Sequence, residues 1–301
     1  MAVNEKWEQL FLFPEEEEKE EQSEQIFFDF EEKPENKQSD KTKKPASTTD
    51  KIYRLTAFTP QEAAVIAVSQ RLAKKANFMG LDMRVINVAL WELNATRELF
   101  LKLPVIDFIG ERKAFREEMK NIKATTRFSH MSGYYRSKFP TLSDTEILTE
   151  IKKEQKGKCK TNKEALMSFI HYLSLGKNLF CINGDFYSRN AYEKTISEKY
   201  DVTQENFHPE KCLSAKSDFT HEIGHYLTFA LNLDESILIN LYHKLKANGS
   251  IEKGLSKYGA KDPMEFIAEA WSEYRCNPTP REIALKVANA IIEKYHAEYD
   301  A

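Results

Sequence analysis

No stretch of this chain reaches the roughly 18–20 consecutive apolar residues that cross a bilayer, so a membrane-spanning role is not expected. There is also no CxxC pair. The four cysteines, Cys159, Cys181, Cys212 and Cys276, are widely scattered, which reads as free thiols in a reducing compartment rather than a disulfide framework or a cysteine zinc cluster. Neither sign of charge is in large excess: the formal net charge is -3, which argues against a general nucleic-acid-binding surface. The opening segment MAVNEKWEQLFLFPEEEE lacks the basic start, long apolar core and small-residue cleavage site of a secretory signal. The expected location is therefore the cytoplasm of the cell that makes the protein.

What is present is the composition of a soluble globular chain, 41% hydrophobic and 30% charged. Its 301 residues suffice for one large domain or two small ones. Residues 1–50 stand apart. EEEEKEEQSEQ and EKPENKQSDKTKKPASTTDK carry few aliphatic residues and cannot bury enough apolar area to offset their ordering entropy, so a disordered acidic tail is expected. Inside it EQLFLFPEE and EQIFFDFEE form a weak repeat, two aromatic islands suited to short linear binding motifs. The remainder divides into a helical region over 51–100 and a larger domain over 101–301.

From residue 51 the patterning is mainly helical. Thr59-Pro60-Gln61-Glu62 is a capping box with proline at the first helical position, opening a run with Val65, Ile66, Val68 and Leu72 at helical spacing. A second helix is expected over 82–103, burying Val85, Ile86, Ala89, Leu90 and Leu93. VIDFI (105–109) reads as a short strand. Capping boxes at Ser143–Glu146 and Thr161–Glu164 predict two short helices, and His130 and His171 fall in helical segments as ordinary structural residues. Asn178–Asn183 is the clearest strand and ends in a Gly184-Asp185 turn. Helices are expected over 216–231 and 234–247, and from Asp262-Pro263 and Thr279-Pro280. The expected fold class is α+β, mainly helical, with a small sheet.

The chemistry-bearing stretch is Asp218-Phe219-Thr220-His221-Glu222-Ile223-Gly224-His225. Histidines at i and i+4 lie on one helix face, so His221 and His225 can bind one Zn²⁺ together, with Glu222 placed as general base for a water the metal acidifies. A catalytic zinc needs a third protein ligand. The extension HExxHxxGxxH is absent, because Thr228 and Leu231 stand where Gly and His are required. The best downstream source is Lys257–Trp271, in which Glu265 and Glu269 are i and i+4 on an otherwise apolar helix. One can ligate the metal and the other can hold a ligand histidine through its second ring nitrogen.

HEIGH followed by YGAKDPMEFIAEAW resembles the catalytic half of the anthrax lethal factor-like metallopeptidases, which have HExxH, then a tyrosine, then EFFAEAF, with the same spacing of seven from tyrosine to glutamate. The resemblance implies a zincin-like fold in which Glu265 is the third zinc ligand, Glu269 supports a ligand histidine and Tyr258 donates a hydrogen bond to the tetrahedral oxyanion. LFCINGDFY, FHPEK, the HEIGH helix, LSKYGAKDPMEFIAEAWSEY and NPTPREIALKV further resemble the peptidase-like module of phage and prophage minor head (head morphogenesis) proteins, over roughly residues 100–296. That resemblance implies that the strand before the HExxH helix binds extended substrate by edge pairing, through Phe180, Cys181, Ile182 and Asn183. His208-Pro209 matches the family's FHP and reads as a loop or cleft-rim element.

The tail motif Gln9-Leu10-Phe11-Leu12-Phe13 resembles the QLxLF pentapeptide that binds the bacterial sliding clamp. Gln9 suits a hydrogen-bonding slot, and Leu10, Leu12 and Phe13 an apolar groove. The expectation is thus a zinc endopeptidase of a phage or mobile element, acting on a protein or peptide substrate, with a peptide-groove partner for the tail. The alternatives are a structural minor head protein that keeps the fold, located in the virion, and a secreted toxin protease.

Overall fold

The computed structural model describes residues 55–125, 128–158, 165–172, 175–199, 206–233 and 237–300. Residues 1–54, and with them Gln9, Leu10, Leu12 and Phe13, lie outside the described residues. In chain order the elements are α1 (Pro60–Ser69), β1 (Ala76–Asn77), α2 (Met83–Leu99), β2 (Phe108–Glu111), α3 (Arg112–Thr125), α4 (Phe128–Lys138), α5 (Asp144–Lys158), β3 (Met167–Tyr172), β4 (Lys177–Ile182), α6 (Gly184–Tyr187), α7 (Tyr192–Lys199), α8 (Ala215–Ala230), α9 (Ile237–Ala247), α10 (Ser250–Gly254), α11 (Pro263–Cys276) and α12 (Glu282–Tyr299). The architecture is mixed α/β and mainly helical, with one four-stranded sheet among the described residues. No helix among them is long and apolar enough to cross a membrane.

Local signals set many of the helix starts. Thr59 Oγ1 accepts the Glu62 N–H at 3.1 Å, while the Glu62 carboxylate reaches back to the Phe58 N–H at 2.8 Å. Asp82 caps α2, and Asp262 caps α11 by accepting from the N–H groups of Met264 and Glu265. Each cap satisfies amide groups that the first helical turn leaves unpaired. The helix from Thr279-Pro280 starts later than expected, at Glu282. Thr279 is held outside it, its N–H and hydroxyl both directed at Asn277 Oδ1, and the Arg281 N–H is bound to Glu273. In α1 the core-facing residues are Ala63 and Ala67, whereas Val65 and Val68 are 67% and 44% exposed.

The sheet order is β1-β2-β4-β3, with β1, β2 and β4 parallel and β3 antiparallel to β4. Side chains alternate across it, as the period of two requires. Phe180 and Ile182 of β4 enter the larger core with α2, α8, α11 and α12, whereas Leu179 and Cys181 enter a smaller core under α3, α4 and α5. The larger core runs from Ala57 to Tyr295, so the sequence division at residue 100 does not divide the core, and Val85, Ile86, Ala89, Leu90 and Leu93 of α2 are all buried in it.

Two elements correct the sequence reading. The Thr161 box lies outside the described residues, but the segment after it, including His171, is strand β3 and not helix. Met167 and Phe169 face the larger core, Ile170 the smaller one, and six residues of β3 pair with β4. That pairing is a long-range gain no helix cap encodes. VIDFI is also displaced: the paired strand is Phe108–Glu111, and Ile106 makes only a single bridge, to Ala73.

Candidate metal centre

Helix α8 carries the HEIGH segment. Ser214 caps it: its Oγ accepts the Ser217 N–H, and Ser217 Oγ accepts the Ser214 N–H in return. The helix lies between α11, α2 and β3. Its closest approach is at Gly224, where an added Cβ would fall 2.5 Å from Ala268 Cα of α11. Only glycine allows this contact, and it sets α11 against the histidine-bearing face of α8.

Three atoms converge there. His221 Nε2 and His225 Nε2 are 3.1 Å apart, and Glu265 Oε2 lies 3.1 Å from the first and 3.4 Å from the second. Tetrahedral ligands at about 2.0–2.1 Å from a zinc ion would be about 3.3 Å apart. Atoms bearing lone pairs at this range repel one another unless a proton or a metal cation lies between them. Glu265 Oε2 is buried without an aligned hydrogen bond. The three residues therefore form a group able to hold a metal ion, and two imidazoles with one carboxylate are a donor set suited to divalent first-row metals.

The surroundings hold these groups in place. His221 Nδ1 is 2.8 Å from Glu269 Oε1. Glu269 is 2% exposed, and its other oxygen accepts from Ser256 Oγ at 3.0 Å and lies 3.5 Å from His208 Nδ1. Burial opposes ionisation of Glu269, but hydrogen bonds with His208 and His221 outweigh it and lower the carboxyl to about 2. Glu265 is likewise held well below the usual carboxylate range, its contacts with His221 and His225 overcoming burial. Burial disfavours the charged form of His221, yet the carboxylates of Glu265 and Glu269 raise it well above its ordinary value. The Tyr258 hydroxyl donates to Glu265 Oε1 at 3.1 Å, and burial followed by the Glu265 charge pushes its pKa up. Glu222 Oε2 accepts the Phe169 N–H of β3 at 2.6 Å.

The structure thus brings together His221, Glu222, His225, Tyr258, Glu265 and Glu269. It does not bring β4 to an edge. Phe180, Cys181 and Ile182 are hydrogen-bonded to β2 on one side and β3 on the other, and Asn183 is buried, capping α6 and bonding Ala165 O. None of the four has backbone positioned to pair with a further strand. The edge beside α8 is β3. Sequence reasoning missed Ser256, which no motif marks, and the part taken by His208, for which FHP was the available signal. Cys212 lines the adjoining cleft, its thiol pKa pushed up by the hydrogen bond with Cys276 and by burial. Comparison of the chain with protein-family models, curated proteins and solved structures found no match.

Proposed function

We propose that this protein is a zinc metalloendopeptidase with a zincin-like active site. The observation that carries this reading is the convergence of His221 Nε2, His225 Nε2 and Glu265 Oε2 within 3.4 Å of one another, with Glu222 and Tyr258 lining the same cleft. Zinc held by His221, His225 and Glu265 would supply Lewis acidity, which makes water nucleophilic near neutral pH and polarises a carbonyl.

The chain's own groups do the rest. Glu222 takes the proton of the attacking water and passes it to the leaving amine, the two-way transfer a carboxylate in a partly dry site can perform. Tyr258, whose hydroxyl already sits at the ligand cluster, donates to the developing oxyanion. Glu269 accepts the Nδ1 proton of His221, which fixes the tautomer and leaves the Nε2 lone pair for the metal. The edge of β3 away from β4, where Glu222 holds the Phe169 N–H, is the surface on which an extended peptide would pair, in place of β4. The same 2-His-1-carboxylate set also serves non-haem iron oxygenases. Glu222 and the Tyr258 hydroxyl, both lining the cleft, support hydrolysis instead.

The resemblance of LFCINGDFY, FHPEK and LSKYGAKDPMEFIAEAWSEY to phage minor head proteins favours an origin in a phage or mobile element. The test is proteomic identification of cleavage products made by the wild type and by Glu222→Gln. Products present with the first and absent with the second, at equal zinc content, are expected. Identical product lists would favour a structural head protein that keeps the site without using it.

A further inference from the structure

The amide that a peptide pairing on β3 needs is already engaged by the general base. Along a strand, successive residues direct their backbone groups to alternate sides. The Leu166 carbonyl accepts the Asn183 N–H on the β4 side. Phe169, three residues on, has its N–H on the opposite side, where it donates to Glu222 Oε2 at 2.6 Å. The donor is fixed in place. Phe169 is paired with Phe180 of β4, and its ring packs into the larger core against Phe180 and Tyr226. The acceptor is a side chain on α8 with rotatable bonds, so of the two partners Glu222 is the one able to move.

One N–H carries one proton. A substrate carbonyl that pairs with Phe169 must therefore take the place of Glu222 Oε2. The bond it replaces is short and made to a carboxylate, and such bonds are stronger than those to a neutral carbonyl. A single substrate carbonyl does not displace Glu222 at no cost. A backbone extended along β3 makes several main-chain bonds at once, and these supply the difference. The displaced carboxylate then has both oxygens available to the cleft that it lines with His221 and Tyr258. Strand pairing and release of the base are thus one event, driven by parts of the substrate remote from the scissile bond.

We infer that the Phe169 amide restrains Glu222 until an extended backbone pairs there, so that the site cleaves peptides long enough to lie along β3 and spares dipeptides and other short substrates. This rests on the peptidase reading above. The test uses the full zinc-loaded chain and a peptide that the wild type cuts, shortened residue by residue from each end. Loss of the segment that lies on β3 should lower kcat by at least about tenfold, beyond any rise in KM. Replacing the Phe169 amide by an ester, with the α-hydroxy acid analogue of phenylalanine at that position, removes the N–H and keeps the ring. At equal zinc content this variant should cut the short peptide faster than the wild type does, and the kcat difference between long and short peptides should collapse. A wild-type kcat independent of length overturns the inference, as does an ester variant that slows on long and short peptides alike, which would make the amide a fixed support for Glu222. Both results leave the peptidase reading standing. If no peptide is cut in a Glu222-dependent way, both readings fall. If the ester variant does not fold, NMR of wild-type protein carrying isotope-labelled phenylalanine decides, with the Phe169 resonance identified by its loss in Phe169→Leu. Saturation with the long peptide, its scissile carbonyl reduced to a methylene, should move the Phe169 amide proton upfield as a neutral carbonyl replaces the carboxylate. A resonance that does not move overturns the inference.

Discussion

His221 Nδ1 lies 2.8 Å from Glu269 Oε1, while His221 Nε2 lies 3.1 Å from Glu265 Oε2. One imidazole is thus held between two carboxylates that are one turn apart on α11. They act on opposite nitrogens, so their removal should have different effects. Glu265→Ala removes a ligand. Glu269→Ala removes only the group orienting His221, a loss that typically costs about 10–100-fold in metal affinity or activity. Competitive zinc titration should show the larger loss for Glu265→Ala. A site emptied by Glu269→Ala and left filled by Glu265→Ala would move the ligand assignment by one helical turn.

Tyr258 meets the ligand cluster with its hydroxyl, at Glu265 Oε1, and with its ring, against that of His221, and Tyr258→Phe removes only the first contact. Tyr258→Phe should therefore retain zinc at wild-type stoichiometry and lose roughly 10²–10³ in turnover, the usual cost of a missing oxyanion donor. Metal analysis alongside peptide hydrolysis checks this, and loss of metal would make the tyrosine a structural support.

The metal-free protein should be sensitive to acid. Glu269 is lowered from its ordinary 4.5 to about 2 by His208 and His221. A depressed carboxylate contributes its stability in full above the unfolded value near 4.5 and loses it as pH falls through about 2. A shift of this size corresponds to the order of 3 kcal/mol. Urea unfolding in the presence of a chelator should show stability falling across that window, with a shallower fall in Glu269→Gln. His221 is shifted the opposite way, so its stabilisation is complete below 6.5 and fades only as pH rises through its raised value. Zinc uptake must displace that proton. Calorimetry in buffers of different ionisation enthalpy should detect proton release on binding at neutral pH.

Gly224→Ala places a methyl 2.5 Å from Ala268 Cα, where backbone and not a flexible side chain must yield. The expected cost is about 1–3 kcal/mol, with weakened zinc affinity because α8 carries the histidines and α11 the glutamates. Gly133→Ala on α4 meets nothing within 4 Å and should be neutral or slightly stabilising. Denaturant unfolding of both variants provides the comparison. Equal midpoints would show that the helices do not depend on this contact.

What the amino-acid sequence determined by itself is local. Histidines four residues apart share a helix face wherever that helix lies, and the caps at Thr59, Asp82 and Asp262 are set by side chains reaching amides two or three residues away. Buried positions of α2 follow from the same short-range periodicity. The tertiary structure alone decided what depends on distant partners. Glu265 and Glu269 are equivalent in spacing, and only the crossing of α11 over Gly224 directs one to Nε2 and the other to Nδ1. The strand nearest the motif in apparent strength, β4, became interior because β2 and β3 pair with both its edges. The segment in which His171 was expected to be helical became strand β3, at the end of the sheet beside β4, by matching the alternation of β4 across two cores. Strand pairing, helix crossing and the enclosure of Glu269 by Ser256 and His208 each join segments far apart in the chain, where no local spacing carries the signal.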